Sequence, residues 1–195
     1  MTASRLDFYS QIRLSAASAL VAALVLGACS DVAERTPDFP GTCAPDSFLS
    51  TRLYGAMPVT LDWRADNLAC DGMPRPAGEG ARIRISGPAS DAPDGNTVAF
   101  ILGLPDLQRG KTALEIGTNV TFMEEGAGRF FSTADTSGCW TDVDFHEPVE
   151  AGAESIYRIG GTVYCVSALA ELNGGSSISF TELTFSARLT WDQPE

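Results

Sequence analysis

The sequence contains little of the chemistry on which most enzymes and nucleic-acid-binding proteins depend. Among its 195 residues there are one histidine, His146, and one lysine, Lys111. Lysine and arginine together number 13 against 25 acidic residues, which gives a formal net charge of −12. A nucleic-acid partner requires a basic surface, so this balance excludes nucleic acid from the expected partners. No phosphate-binding loop, C-x-x-C pair or G-x-S-x-G elbow occurs, and no cofactor is predicted.

The N-terminal apolar run is too short for a transmembrane helix. LSAASALVAALVL, residues 14–26, would extend about 20 Å as a helix, whereas the hydrocarbon core of a membrane is about 30 Å thick. Arg5 and Arg13 precede the run and give it a basic leader. Residues 1–28 are therefore predicted to be a signal peptide.

The run ends in Leu26-Gly27-Ala28-Cys29, which resembles the lipobox of bacterial lipoproteins. The resemblance implies cleavage after Ala28 and a diacylglycerol on the thiol of Cys29. An ordinary secretory signal with a chance cysteine is the alternative. Ser30 follows the cysteine, and by the enterobacterial sorting rule it implies the outer membrane. Because several acyl chains anchor a protein stably, we expect a lipid-anchored protein of the bacterial cell envelope.

The rest of the chain is predicted to be a short tether followed by one domain. Residues 29–42 hold the lipidated cysteine, two prolines and few large apolar side chains, as linkers do. Residues 43–195 have the length and composition of a single β-rich domain. Removal of residues 1–28 takes away two arginines and one aspartate, so the mature chain carries a net charge of −13.

Four cysteines remain once Cys29 has received the lipid: Cys43, Cys70, Cys139 and Cys165. An even number of cysteines in an exported domain favours disulfides, and four cysteines allow three pairings. The sequential pairing, Cys43 with Cys70 and Cys139 with Cys165, keeps each bridge within one half of the domain. A zinc site is a weaker alternative, because the zinc-binding spacings are absent. A catalytic thiol is weaker still, because an even number of cysteines in an oxidising compartment is normally consumed by pairing.

Alternation of apolar and polar residues predicts strands along most of the domain. It is clearest over residues 183–191, and residues 157–165 repeat it around a Gly160-Gly161 pair, which predicts a bulge or a close backbone approach. Asn173-Gly174-Gly175-Ser176 between these strands predicts a turn. Further candidate strands are residues 81–86, 97–104, 119–123 and 129–132. The pattern predicts an all-β fold, a small antiparallel β-sandwich or barrel with two disulfides.

Three segments depart from this alternation. Residues 48–53 and 168–172 are short and have spacings closer to those of a helix. Residues 71–80 contain two prolines and three glycines, so we predict a loop there. That loop would be a recognition loop near Cys70 or a simple connector.

The domain also resembles a set of uncharacterised proteobacterial envelope lipoproteins. The resemblance extends from about Cys70 to Trp191 and is most specific in Cys-Trp-Thr-Asp from residue 139, in Tyr164-Cys165 and in Leu-Asn-Gly-Gly from residue 172. It implies the compartment and the fold, and it carries no assigned activity.

The candidate contact residues lie on one predicted strand. Asp142, Asp144 and His146 occupy alternate positions, so an unbroken strand would place all three on its outer face together with Trp140. An exposed tryptophan beside carboxylates would be a contact residue for a partner, whereas coverage of the Trp140 ring by a loop or by the tether is the alternative. The set could also bind a divalent ion, but a solvated outer face is the ordinary condition of a one-sided sheet and is the preferred interpretation, so no metal site or catalytic residue is predicted. His146 is expected to be a solvated surface side chain.

We therefore expect a non-enzymatic binding or structural module whose partners are the membrane, through the lipid, and a basic envelope protein. One alternative is an inhibitor of a basic envelope protein such as a lysozyme, which rests on the charge of −13 alone. Another is a carrier of an apolar ligand, which a large apolar cavity would support. The last alternative is an enzyme that uses surface carboxylates or a metal.

Overall fold

The structure, a computed structural model, describes residues 43–76, 79–89, 96–150 and 155–191. The predicted signal peptide, the lipobox with Cys29 and the tether lie outside the described residues. Within these ranges no helix is long and apolar enough to cross a membrane.

The described ranges contain twelve strands and no helix. The strands are β1 Phe48–Gly55, β2 Thr60–Arg64, β3 Ala69–Pro74, β4 Ala81–Pro88, β5 Thr97–Leu104, β6 Ala113–Gly117, β7 Asn119–Glu124, β8 Arg129–Ser132, β9 Cys139–Pro148, β10 Ile156–Cys165, β11 Leu169–Glu171 and β12 Ser177–Thr190. Alternating buried and exposed side chains along most of them give the sheet one core face. The predicted all-β class is confirmed.

All of these strands belong to one open antiparallel sheet. Its order is β3-β4-β5-β7-β8-β11-β12-β10-β9-β6, and β1 pairs with the other edge of β12 and with β2. Strand β12 is the longest, and it pairs first with β11 at Ser177–Ile178 and then with β10 from Leu183 to Thr190. Strand β3 lies against β12 without hydrogen-bonding to it, so the sheet folds back over its own core.

The core between the two parts of the folded sheet is filled by aromatic and branched side chains. Phe100 and Phe122 meet edge to face at 5.1 Å between ring centroids, and Phe100 meets Phe180 at 6.0 Å. Phe131 extends the group, 6.1 Å from Phe122. Full burial of each of these rings contributes about 2–3 kcal/mol. The rings therefore hold the folded sheet together and fill its interior.

Both disulfides have the sequential pairing that the cysteine spacing favoured. Cys43 is bonded to Cys70 of β3 with 5.1 Å between Cα atoms, and Cys139 to Cys165 with 4.1 Å. The second bridge joins directly opposed residues of β9 and β10. Each bridge fixes a strand end, and a bridge of this loop length contributes about 2–4 kcal/mol by restricting the unfolded chain.

The structure corrects three of the local predictions. The segments with helix-like spacing, residues 48–53 and 168–172, belong to strands β1 and β11 instead. The predicted loop of residues 71–80 begins with four strand residues, because β3 continues to Pro74. Proline and glycine are tolerated there since β3 ends the sheet and pairs only with β4. At Gly72, a Cβ would lie 2.5 Å from the carbonyl oxygen of Arg188, so this close approach to β12 requires glycine.

The predicted irregularity at Gly160-Gly161 is a β-bulge. Gly160 opposes Phe145 and Gly161 opposes Val143, so Asp144 of β9 is the extra residue. A Cβ on Gly161 would lie 1.9 Å from the carbonyl oxygen of Asp142, and a Cβ on Gly160 would lie 2.3 Å from Cζ of the Phe145 ring. Pairing of β9 with β10 therefore requires glycine at both positions.

We expect Gly161→Ala to lower the free energy of unfolding by at least about 2 kcal/mol, because backbone atoms of β9 would have to move away. Gly175→Ala is the matched control, since no heavy atom lies within 4 Å of the added Cβ. That variant should change stability by less than about 0.5 kcal/mol. Urea unfolding of both variants provides the measurement, and equal losses would contradict the bulge as the sensitive point.

Candidate functional site

The bulge separates the four residues that the alternation placed on one face. Trp140, Asp142 and Asp144 lie on the outer face, but His146 is only 4% exposed and pairs with the buried Ile159. The extra residue Asp144 reverses the side-chain parity of the rest of β9. The expectations that His146 shares the outer face and is solvated are therefore wrong, and the four residues form two separate sites.

The first site is an acidic-aromatic surface on β6, β9 and β10. It comprises Trp140, Asp142, Asp144, Tyr164 and Glu115. The Trp140 and Tyr164 rings are half-buried and lie 6.2 Å apart with planes 31° from parallel. Tyr164 was missed from the sequence, although the Cys139–Cys165 bridge contains the signal: residues next to directly opposed cysteines face each other. No feature of the sequence pointed to Glu115 as a member of this surface.

Asp142 organises this surface through its carboxylate. Its Oδ1 accepts the backbone N–H of Glu115 at 2.7 Å and faces the Tyr164 hydroxyl at 3.4 Å. Strand β6 is bulged here, because Leu114 and Glu115 stand between the paired residues Ala113 and Ile116. Glu115 has φ of 54°, and the carboxylate binds the N–H that the bulge removes from the ladder.

The carboxylates of the acidic-aromatic surface have no cationic partner among the described residues. Four arginines form ion pairs elsewhere in the described residues. These pairs are Arg64–Asp62, Arg84–Glu125, Arg129–Glu124, Arg129–Glu171, Arg158–Asp46 and Arg158–Glu147. Partial desolvation, followed by the negative charges of Asp142 and Glu115, raises the pKa of the Tyr164 hydroxyl. The surface therefore holds uncompensated negative charge beside two aromatic rings.

The second site is the His146 cluster at one end of the sheet. Nε2 of His146 accepts the indole N–H of Trp191 at 2.9 Å, and Nδ1 lies 3.3 Å from the carbonyl oxygen of Lys111. Because a carbonyl only accepts, the proton of the neutral imidazole is on Nδ1. The Tyr157 ring meets the imidazole edge to face at 5.1 Å, and the Arg109 guanidinium lies over Tyr157 at 5.3 Å.

His146 is held as a neutral structural link between β9, β12 and the β5–β6 connection. Burial lowers the pKa of His146; the carbonyl groups of Lys111 and Gln108 oppose this effect, and the charge of Arg109 adds to it. Neither ring nitrogen is open to a substrate, and within the described ranges no hydroxyl or thiol hydrogen-bonds to the imidazole. Nor do the described residues contain a group of three His, Cys, Asp or Glu side chains that could hold a metal ion.

The His146 cluster predicts acid sensitivity. Because its folded-state pKa lies below the unfolded value of about 6.5, the unfolded state binds the proton more readily. Stability should be full above about pH 6.5 and fall as the pH drops toward the folded-state pKa, by at most about 1.4 kcal/mol per pH unit. Urea unfolding between pH 5 and 8 measures this slope. His146→Gln removes the chain's only histidine and should flatten it; an unchanged slope in the variant would disprove the assignment.

The fold and the two sites can also be set against known proteins. Comparison of the chain with protein-family models, with curated proteins and with solved structures finds no match in any of the three.

Proposed function

We propose that the protein is a lipid-anchored binding module of the bacterial cell envelope, without enzymatic activity, whose partner is a basic protein. The observation that carries the proposal is the acidic-aromatic surface, in which three carboxylates without cationic partners in the described ranges share neighbouring strands with two half-buried aromatic rings. The anchor rests on the Leu26-Gly27-Ala28-Cys29 motif, and the outer membrane on Ser30.

The chemistry of this surface suits lysine and arginine side chains. Carboxylates accept charge-assisted hydrogen bonds from ammonium and guanidinium groups. The rings of Trp140 and Tyr164 can receive the same cations over their faces, and such aromatic residues are enriched where partners bind tightly. Leu114, 77% exposed beside Glu115, supplies apolar area that a partner could cover. A basic partner thus finds both charge and contact area here.

The charge of the whole molecule favours the same class of partner. A net charge of −13 after removal of residues 1–28 attracts basic proteins during approach and repels acidic ones. At physiological salt this attraction is screened within about 8 Å, so it accelerates association more than it strengthens the final complex. Inhibition of a basic envelope enzyme such as a lysozyme is one form that such binding could take.

Two other functions fit the geometry less well. A carrier of an apolar ligand needs an open interior, and the phenylalanine rings of the core occupy the space between the two parts of the sheet. An enzyme that uses His146 as its base would first have to displace the Trp191 N–H from Nε2. We therefore rank both functions below the binding of a basic protein.

The double variant Asp142→Asn/Asp144→Asn should slow association with the basic partner by about tenfold, because it removes two of the uncompensated charges. Capture from envelope extract provides the partner, and surface-based kinetics at low and high salt provide the rates. Asp66→Asn/Glu182→Gln, which removes two exposed charges elsewhere, should have a smaller effect. An acidic partner, or an association rate that ignores both salt and the double variant, would contradict the proposal.

The anchor has its own test, which concerns Cys29. Processing should remove residues 1–28 and leave a diacylglycerol on this cysteine, so intact-mass measurement of the membrane fraction should give an acylated N-terminus. Cys29→Ser should leave an unprocessed precursor or release the protein from the membrane. A mature N-terminus at residue 29 that carries no acyl mass would refute the lipid anchor.

A further inference from the structure

A cleft of about 410 Å³ lies beside the His146 cluster and is separate from the acidic-aromatic surface. The Trp191 side chain lines it, together with polar side chains of the β3–β4 and β5–β6 connections: Glu79, Asp106, Gln108 and Arg109. Its volume is within the range of small-molecule sites. An aromatic side chain with several convergent polar groups is the composition such sites have.

Trp191 is held in place before any ligand arrives. Its indole N–H donates to Nε2 of His146 at 2.9 Å, and its backbone N–H donates to the carbonyl oxygen of Ser155 at 2.8 Å. The centroid distance of 5.5 Å and the angle of 26° between the His146 and Trp191 planes fit two rings joined edge to edge by this bond. The ring also packs against the hydrophobic core. Binding of a ligand to the indole would therefore cost little conformational entropy, because the Trp191 side chain is already ordered.

A close backbone approach fixes the part of the cleft that Gly80 lines. Gly80 has φ of 87°, and a Cβ there would lie 2.1 Å from the carbonyl oxygen of Leu104. The β3–β4 and β5–β6 connections are thus locked against each other at this point. Glu79 and Asp106, which belong to these two connections, both line the cleft.

The polar groups of the cleft supply both hydrogen-bond acceptors and hydrogen-bond donors. Glu79 and Asp106 have no cationic partner within the described ranges, so they disfavour an anion. Arg109, whose Nε donates to the Tyr157 hydroxyl at 3.4 Å, lines the same cleft. Carboxylates accept hydrogen bonds, a guanidinium donates them and the Gln108 amide does both.

We infer that this cleft binds a saccharide. Each sugar hydroxyl both donates and accepts a hydrogen bond, so a sugar matches a mixed set of acceptors and donors. The C–H face of a pyranose ring is flat and apolar, and it fits the pre-positioned indole of Trp191. This ligand is distinct from the basic protein of the proposed function, and it engages different residues.

Calorimetric titration of the full chain with chitotetraose and with cellotetraose tests the inference, in a detergent without a sugar headgroup. At least one tetrasaccharide should bind saturably with a dissociation constant between about 10 μM and 1 mM. Trp191→Ala should abolish binding. Because Trp191 also packs against the core, Asp106→Ala and Gln108→Ala are tested as well; both side chains are exposed, and each variant should weaken binding about tenfold with an unchanged melting temperature.

Matched controls are Phe130→Ala on β8 and Glu182→Ala on β12, which remove an exposed ring and an exposed carboxylate; neither residue lines the cleft. Both should retain the affinity of the unaltered protein. Three results would overturn the inference: no binding of either tetrasaccharide at about 10 mM, equal binding by the Asp106 and Gln108 variants, or displacement of the sugar by tetralysine. Loss of saccharide binding would leave the capture of a basic partner by Asp142 and Asp144 unaffected, so the two proposals fail separately.

Discussion

The pairing of β9 with β10 depends on two residues without side chains. At Gly160 and Gly161 the strands approach so closely that the carbonyl of Asp142 and the ring of Phe145 occupy the space where Cβ atoms would stand. One residue of β9 is then in excess, and the strand changes which face its later side chains meet. The two sides of the bulge therefore differ: Trp140 and Asp142 lie on the outer face before it, and the imidazole of His146 lies on the inner face after it.

Strand β12 provides the second constraint. It pairs with β11 near its start, with β10 near its end and with β1 along the opposite edge. Strand β3 then packs against it at Gly72, and Trp191 follows directly after its last residue. One strand therefore unites the folded sheet and also delivers the indole that binds His146. A shift of β12 by one residue would invert both its core face and this contact.

Local alternation was sufficient to predict much of the fold. The bounds of β5 and β8 agree with the predicted strands at residues 97–104 and 129–132, and the turn at Asn173–Ser176 and both cysteine pairs are confirmed. What failed depends on partners distant in sequence. Strand β3 tolerates Pro74 only because it ends the sheet, and β11 has too few residues for its period to be recognised. The Gly160-Gly161 pair predicted a bulge in its own strand pair, but its effect on His146 appears only when Asp144 is placed opposite.

The irregular ends of the sheet have a consequence for behaviour at high local concentration. An open sheet exposes unpaired N–H and C=O groups at its end strands, and such edges can pair with another copy. Here each end is obstructed: β6 is bulged at Glu115, β3 ends in Pro74 and is disulfide-bonded at Cys70, and β2 places exposed Asp62 and Arg64 along its edge. Copies at high local concentration would therefore resist edge-to-edge aggregation and stay separate.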